Sequence, residues 1–227
     1  ANQAHSVYNW EMGASGYAAV WAQENTRESL FNALRRREAY ATTGSRIILR
    51  VFAGWDFDHD DAHSPTLARQ GYQKGVPMGG DLTSAPRGAR PQFLIAAARD
   101  PEGAHLDRIQ VIKGWIDDAG ETEEQVYNVA VSDLRRIRGN RVRPVGTTVD
   151  VATATYTNTI GDPELRVVWE DPNFDRNVAA VYYVRVLEIP TPRWTAYDAA
   201  FYGTEVPSGI PMVIQERAYS SAIWYTP

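Results

Sequence analysis

Apolar residues fall at helical spacing in one early stretch of the chain. Between residues 24 and 44, Leu30, Phe31, Ala33 and Leu34 form a single stripe, and Arg35, Arg36 and Arg37 crowd the end where a helix dipole is negative. Asn25 followed by Glu28 has the spacing of a capping box, which places the helix start there. After Gly44 the period changes from helical to alternating. Residues 46–53 read as a strand stopped by Gly54-Trp55-Asp56. Further strands are predicted over 92–98, 106–114, 125–131, 148–156, 165–170 and 179–189. Ile109 and Val111 alternate with Arg108 and Gln110, giving one buried and one wet face. In 181–187 only Arg185 interrupts an apolar run, the pattern of a central strand. Asp100-Pro101-Glu102-Gly103 and Asp171-Pro172-Asn173 supply turn chemistry between strands. The pattern predicts a mainly β chain: an immunoglobulin-like antiparallel β-sandwich preceded by one amphipathic α-helix.

Two regions depart from this rhythm. Residues 54–91 carry no sustained period and are rich in Gly, Pro and Asp; a loop of that length is functional, packed on a partner, or ordered in short pieces. Within it, residues 66–70 suit one helical turn. The tail from Pro190 holds a short helix near 195–201, then extended runs at 211–214 and 222–225.

Composition narrows the classes. The 227 residues are 44% hydrophobic and 22% charged, the values of an ordinary globular chain with a sizeable core. No stretch approaches the roughly 18–20 apolar residues that cross a bilayer, so no membrane partner is expected. The first ten residues lack the basic and apolar regions of a signal peptide. The chain does not start with Met, which suggests a processed product or a cut piece. With no cysteine there is no disulfide, thiolate ligand or thiol nucleophile. A formal net charge of -5 argues against nucleic acid. Charge is patchy all the same: Arg135, Arg136, Arg138, Arg141 and Arg143 form a basic cluster, and Asp117, Asp118, Glu121, Glu123 and Glu124 an acidic one. Both read first as solvated loops. A phosphate-binding patch on the arginines would lack the interleaved aromatics of a single-strand binder.

Candidate chemistry is sparse. Asp56, Asp58 and Asp60, with His59, Asp61 and His63, are the densest set of hard-metal ligands, yet Asp61 stands where a calcium loop has glycine and Leu67 where it has glutamate. A solvated acidic loop fits them better than a metal site. Gly13-Ala14-Ser15-Gly16 misses the serine-elbow spacing because Tyr17 takes the last glycine position. His5, His59, His63 and His105 form no helical ligand pair. The run 75–82 is glycine-rich without matching a phosphate loop and suits a close-packed turn. Of seven tryptophans, Trp55, Trp115 and Trp194 lie beside turns, where a ring could stack on a sugar, whereas Trp169 and Trp224 read as core. In 190–198, Arg193 suits an anion and Tyr197 could orient it, though two prolines alone would explain a rigid corner.

Residues 24–44, Gly54-Trp55-Asp56-Phe57, 74–82, 106–115, Asn158-Thr159-Ile160-Gly161, 182–198 and 215–227 carry a resemblance. They resemble the C-terminal part of a bacterial family of unknown function whose members are longer than this chain. The N-terminal part of that family is similar to the polymerase and histidinol phosphatase (PHP) superfamily of metal-dependent phosphoesterases and hydrolases. Such barrels bind metals through an H-x-H near the start and a G-x-D-x-H-like string near the end, and neither occurs here.

The resemblance implies that residues 1–44 are the end of a PHP-like barrel and 45–227 a sandwich accessory domain with a long loop at 54–91. It implies an accessory portion of a metal-dependent hydrolase-like protein, inactive alone, which contributes packing and a pocket rim. No residue of this chain is then catalytic and none holds a cofactor; the divalent metal belongs to the parent protein, whose N-terminal barrel is the partner. Glu24, Asn25, Arg193, Trp194 and Tyr197 are the substrate-proximal candidates, and Asp56, Asp58 and Asp60 the metal candidates. The stripe of the 26–39 helix is expected to lie on the sandwich, on the long loop, or on a second copy in a homo-oligomer. A periplasmic or exported location is favoured. The alternative is a carbohydrate- or ligand-binding sandwich module.

Overall fold

The structure, a computed structural model, describes residues 16–117 and 119–227. The described chain runs β1 (Tyr17–Val20), α1 (Arg27–Arg35), β2 (Ala39–Thr42), β3 (Ile48–Gly54), a 3-10 turn (His59–His63), α2 (Leu67–Lys74), β4 (Gly75–Pro77), β5 (Asp81–Thr83), β6 (Gln92–Ala98) and β7 (Leu106–Ile116). It continues with β8 (Thr122–Val131), β9 (Glu164–Glu170), β10 (Ala180–Glu188), β11 (Thr191–Pro192), α3 (Trp194–Tyr202), β12 (Val213–Ile214), β13 (Arg217–Ser220) and β14 (Ile223–Thr226).

The chain is mainly β, as its alternation predicts. In the larger sheet β10 is central: β7 flanks one edge, with β8 outside it, and β13 and β14 share the other. β2 and β1 extend the sheet beyond β13, and β5 adds a parallel strand beyond β14. The smaller sheet has the order β4-β3-β6-β9, all antiparallel. The two sheets pack face to face. Val51, Phe93 and Ile95 of the smaller sheet meet Ile109, Val111, Tyr182, Val184 and Tyr225 of the larger. Successive side chains alternate between faces, so one register fixes which of them enter this core. Trp224 shows the rule. It stands between inward-facing Ile223 and Tyr225 and is therefore 49% exposed, not core as its strand context suggested. Trp169 packs against the core as expected.

Residues 54–91 are ordered in short pieces. The 3-10 turn and α2 cover the outer face of the smaller sheet, where Phe57, Ala62 and Leu67 close over Phe52 and Leu94. The turn between β4 and β5 is close-packed: Gly79 has φ +83, and a Cβ there would collide with the Arg37 carbonyl. Residues 148–156, expected as a strand, form a turn instead, held by one bridge between Asp150 and Thr155. Asp150 Oδ1 accepts from Ala152 N at 2.9 Å, and this local bond outweighs the β preference of Val and Thr.

α1 is shorter than the pattern implied, and its cap is Thr26 rather than Asn25. Thr26 is extended and Oγ1 accepts from Ser29 N at 3.3 Å, while Ser29 Oγ accepts from Glu24 N at 3.2 Å. Glu28 takes no part in the cap. Left-handed Arg37, φ 61, turns the chain straight into β2. Ala33 is fully buried, but Leu30, Phe31 and Leu34 are 36%, 61% and 55% exposed. The stripe lies open to solvent in the monomer, neither on the sandwich nor under the 54–91 segment.

Candidate functional site

The five substrate-proximal candidates fall in two places. Asn25 lines an open depression with Arg27, Glu28, Leu30, Phe31 and Leu34, and Glu24 sits beside it at the α1 cap. Arg193, Trp194 and Tyr197 start α3, where the Arg193 guanidinium lies 5.3 Å from the Trp194 ring. No hydrogen bond or ion pair joins Glu24 or Asn25 to Trp194 or Tyr197 among the described residues.

Sequence reasoning missed the surroundings of Tyr197. Tyr156 feels the charges of Tyr197, Glu188, Arg99 and Asp100, so these groups share one neighbourhood. Glu188, the last residue of β10, is buried and its Oε1 has no hydrogen-bond partner. Burial pushes its carboxyl up to about 7, against an opposing pull from the Ser45 hydroxyl, with lesser repulsion from Glu216 and Asp100 and a lesser attraction to Arg99. The Ser45 hydroxyl is likewise buried without a partner in hydrogen-bond geometry. A glutamate closing a strand of Val and Tyr gave no signal in the sequence.

The acidic loop is committed to local structure. Asp58 Oδ1 accepts from Asp60 N and Asp61 N, and Asp61 Oδ2 accepts from Asp58 N, so the pair closes a capping box on the 3-10 turn. Lys74 Nζ donates to Asp61 Oδ2 at 2.7 Å and lies 3.6 Å from Asp58. Asp56 and Asp60 are exposed. Among the described residues no group of three or more His, Asp or Glu is placed to hold a metal ion. His5 and the Gly13-Ala14-Ser15 part of the elbow-like string lie outside the described residues, as does Asp118.

The arginine cluster divides. Arg135 is tied inward, with Nη2 2.5 Å from Asp107 Oδ1 beneath it. Arg136, Arg138, Arg141 and Arg143 line an open basic hollow with no carboxylate in salt-bridge range among the described residues. The turn that carries them is pinned to the outer edge of β8 by Asn140. Its Oδ1 accepts from Asn128 N at 2.8 Å and its Nδ2 donates to the Val126 carbonyl. One side chain thus occupies backbone groups that an unprotected edge strand would leave open.

An enclosed polar site lies at one end of the sandwich. Lys113 and Trp115 point inward from β7, as do Gln125 and Tyr127 from β8, by the alternation that buries Val111. Asp171, just past β9, is fully buried and is the hub. Its Oδ2 accepts from Lys113 Nζ at 2.7 Å and from Tyr182 OH at 2.8 Å, and its Oδ1 from Asn173 N at 2.9 Å. Burial and this carboxylate push the Tyr182 hydroxyl far up, so it acts only as a donor to Asp171. Above them opens a pocket of about 440 Å³ bordered by Lys113, Trp115, Gln125, Tyr127, Asn173 and Asp175. That volume falls in the range of small-molecule sites, about 300–1,000 Å³. Of the three tryptophans placed beside turns, only Trp115 borders it. Trp55 is held by its Nε1 bond to Thr83 O at 3.3 Å and by ring contacts with Phe174 and Tyr225. Trp194 has a buried, unpartnered Nε1.

No curated protein and no solved structure matches the chain significantly. One family model matches, over residues 1–227, and its description is "Protein of unknown function (DUF3604)". The chain belongs to that family.

Proposed function

We propose that the chain is the C-terminal accessory portion of a metal-dependent hydrolase-like protein and is not catalytic alone. The observation that carries this reading is the exposed stripe of α1. Leu30, Phe31 and Leu34 face solvent on a helix that is otherwise locked to the fold by buried Ala33 and by Glu38, which accepts from the Tyr72 hydroxyl and pairs with Arg36 at 3.3 Å. In this reading the occupant of the stripe is the N-terminal, PHP-like barrel portion of the parent, with α1 as its closing helix. Residues 45–227 are then an immunoglobulin-like accessory domain, to whose larger sheet β1 and β2 of the preceding segment add two strands. The divalent metal and its ligands lie in the barrel, where hydrolysis of an ester, phosphoester or amide by activated water would occur. Glu24 and Asn25, at the start of α1, are the residues this docking brings nearest the substrate. The parent is expected in the periplasm or outside the cell.

The test compares this chain with the complete reading frame. Each is loaded with Mn²⁺ or Zn²⁺ and assayed on p-nitrophenyl phosphate, bis-p-nitrophenyl phosphate and p-nitrophenyl acetate. Turnover is expected from the complete protein and is reduced there by Phe31→Asp. Turnover by the purified chain alone overturns the reading. A second reading, a carbohydrate- or ligand-binding module, is favoured by the aromatic-walled pocket above Lys113.

A further inference from the structure

We infer that the pocket above Lys113 binds one neutral sugar residue of an oligosaccharide. This rests on the second, ligand-binding reading and is independent of whether α1 docks on a barrel.

Three features of the pocket point to a neutral polyol. The first is its walls. Trp115 and Tyr127 present ring surface from adjacent strands, and the Tyr127 ring is itself backed by Trp169, with centroids 4.9 Å apart. Rings held this way offer an apolar face to the C–H side of a pyranose at small entropic cost. The second is the floor. Lys113 carries three N–H groups and uses two, on Asp171 Oδ2 at 2.7 Å and Asn173 O at 2.8 Å. The third makes no hydrogen bond among the described residues and is the donor for a ligand oxygen, beside the Trp115 ring whose centroid lies 5.4 Å from Nζ. Because Asp171 neutralises the ammonium within the wall, the floor offers a hydrogen-bond donor with little net attraction for an anion. The third feature is the rim, which mixes roles. Gln125 Nε2 is used on the Val126 carbonyl at 2.9 Å, leaving Oε1 as an acceptor, and Asp117 and Asp175 add carboxylates. A hydroxyl both donates and accepts, so alternating hydroxyls satisfy such a set where a phosphate or carboxylate would not.

The pocket is also held in shape without a ligand. Asn173 Nδ2 donates to Tyr127 OH at 3.2 Å, Asp175 Oδ1 accepts from Asn177 N at 2.8 Å, and Tyr225 OH donates to Arg176 O at 2.7 Å. These bonds fix the 171–178 segment, which leaves β9 of the smaller sheet, against β8 and β14 of the larger one, the preorganisation a small-ligand site needs.

The experiment titrates the whole chain with cellohexaose, laminarihexaose, xylohexaose and mannohexaose at millimolar concentration, followed by ligand-observed NMR. Tetramethylammonium and inorganic phosphate are run in parallel. At least one neutral hexasaccharide is expected to bind. Its affinity should fall tenfold or more in Trp115→Ala, persist in Trp115→Phe, and be unchanged in Trp224→Ala on the opposite face. If Trp115→Ala does not fold, Gln125→Leu at the rim is expected to weaken binding by severalfold. Binding of none of the four sugars, binding indifferent to the Trp115 and Gln125 changes, or binding of tetramethylammonium or phosphate in their place overturns the assignment. None of these outcomes bears on the hydrolase assay above.

Discussion

Lys113 and Asp171 form a buried ion pair, Nζ to Oδ2 2.7 Å, that ties β7 of the larger sheet to the end of β9 in the smaller one. Both side chains are almost fully inaccessible, and Tyr182 shares the same carboxylate oxygen. Removing one partner of such a pair costs about 3–5 kcal/mol, because the other is left charged and dry. Asp171→Ala should therefore lower the urea stability by about that amount. Lys113→Met should cost less, since Asp171 keeps the Tyr182 and Asn173 donors. A loss in Asp171→Ala below about 1 kcal/mol would mean that water replaces the carboxylate.

Glu188 makes stability depend on pH. Its carboxyl titrates near 7 in the fold and at the ordinary 4.5 when unfolded. A raised folded value means that the folded state holds the proton more tightly, so its contribution is complete below about 4.5 and is lost as pH rises to 7. The gap corresponds to about 3 kcal/mol. Glu188→Gln should flatten the fall in denaturation midpoint between pH 5 and 8 and should be more stable than the parent chain at pH 8. An unchanged profile in the variant would place the titrating group elsewhere.

Gly71, in the middle of α2, is a place where the usual helix rule reverses. Replacing a helical glycine by alanine ordinarily gains about 1 kcal/mol. Here a Cβ would run into the ring of Phe52. Overpacking costs about 1–3 kcal/mol, so Gly71→Ala should lower the melting temperature, and Gly71→Ala combined with Phe52→Leu should recover part of the loss.

The α1 stripe separates folding from association. Leu30→Ser, Phe31→Ser and Leu34→Ser touch exposed positions and should each change the stability of the isolated chain by about 0.5 kcal/mol or less. Their combination should raise its solubility, measured as the protein remaining in solution at increasing concentration. A large stability loss would show that the stripe is covered in solution.

The alternation of Ile109 and Val111 and the apolar run around Arg185 carried the two-sheet architecture, but the wet face expected at Arg108 and Gln110 is absent: Gln110 is 8% and Ile112 1% exposed, so β7 is covered on both faces around its centre. The pieces of 54–91 were legible only in part: residues 66–70 suited one helical turn, where the structure has the longer α2, Leu67–Lys74. α2 is fixed by Phe52 and Leu94, residues distant in sequence, and no local period records that contact. The acidic loop looked like ligands because composition does not reveal that Asp58 and Asp61 are spent on a 3-10 turn and Lys74. Trp115 was legible as a stacking candidate from its place near a turn. Asp171 was read only as part of a turn, and its role as hub appears once β7, β9 and β10 converge.

The β7–β8 hairpin has one more consequence. Glu123 and Glu124 stand near the start of β8, and Asn140 holds the arginine turn against Val126 and Asn128 of the same strand. At about 3.3 Å per residue, Glu124 and Val126 lie only about 7 Å apart along it. That is within the screening length of about 8 Å at physiological salt, so the acidic end of the hairpin and the arginines flanking Asn140 offset each other's field. A charged surface approaching this edge therefore meets the two patches together and not as separate poles.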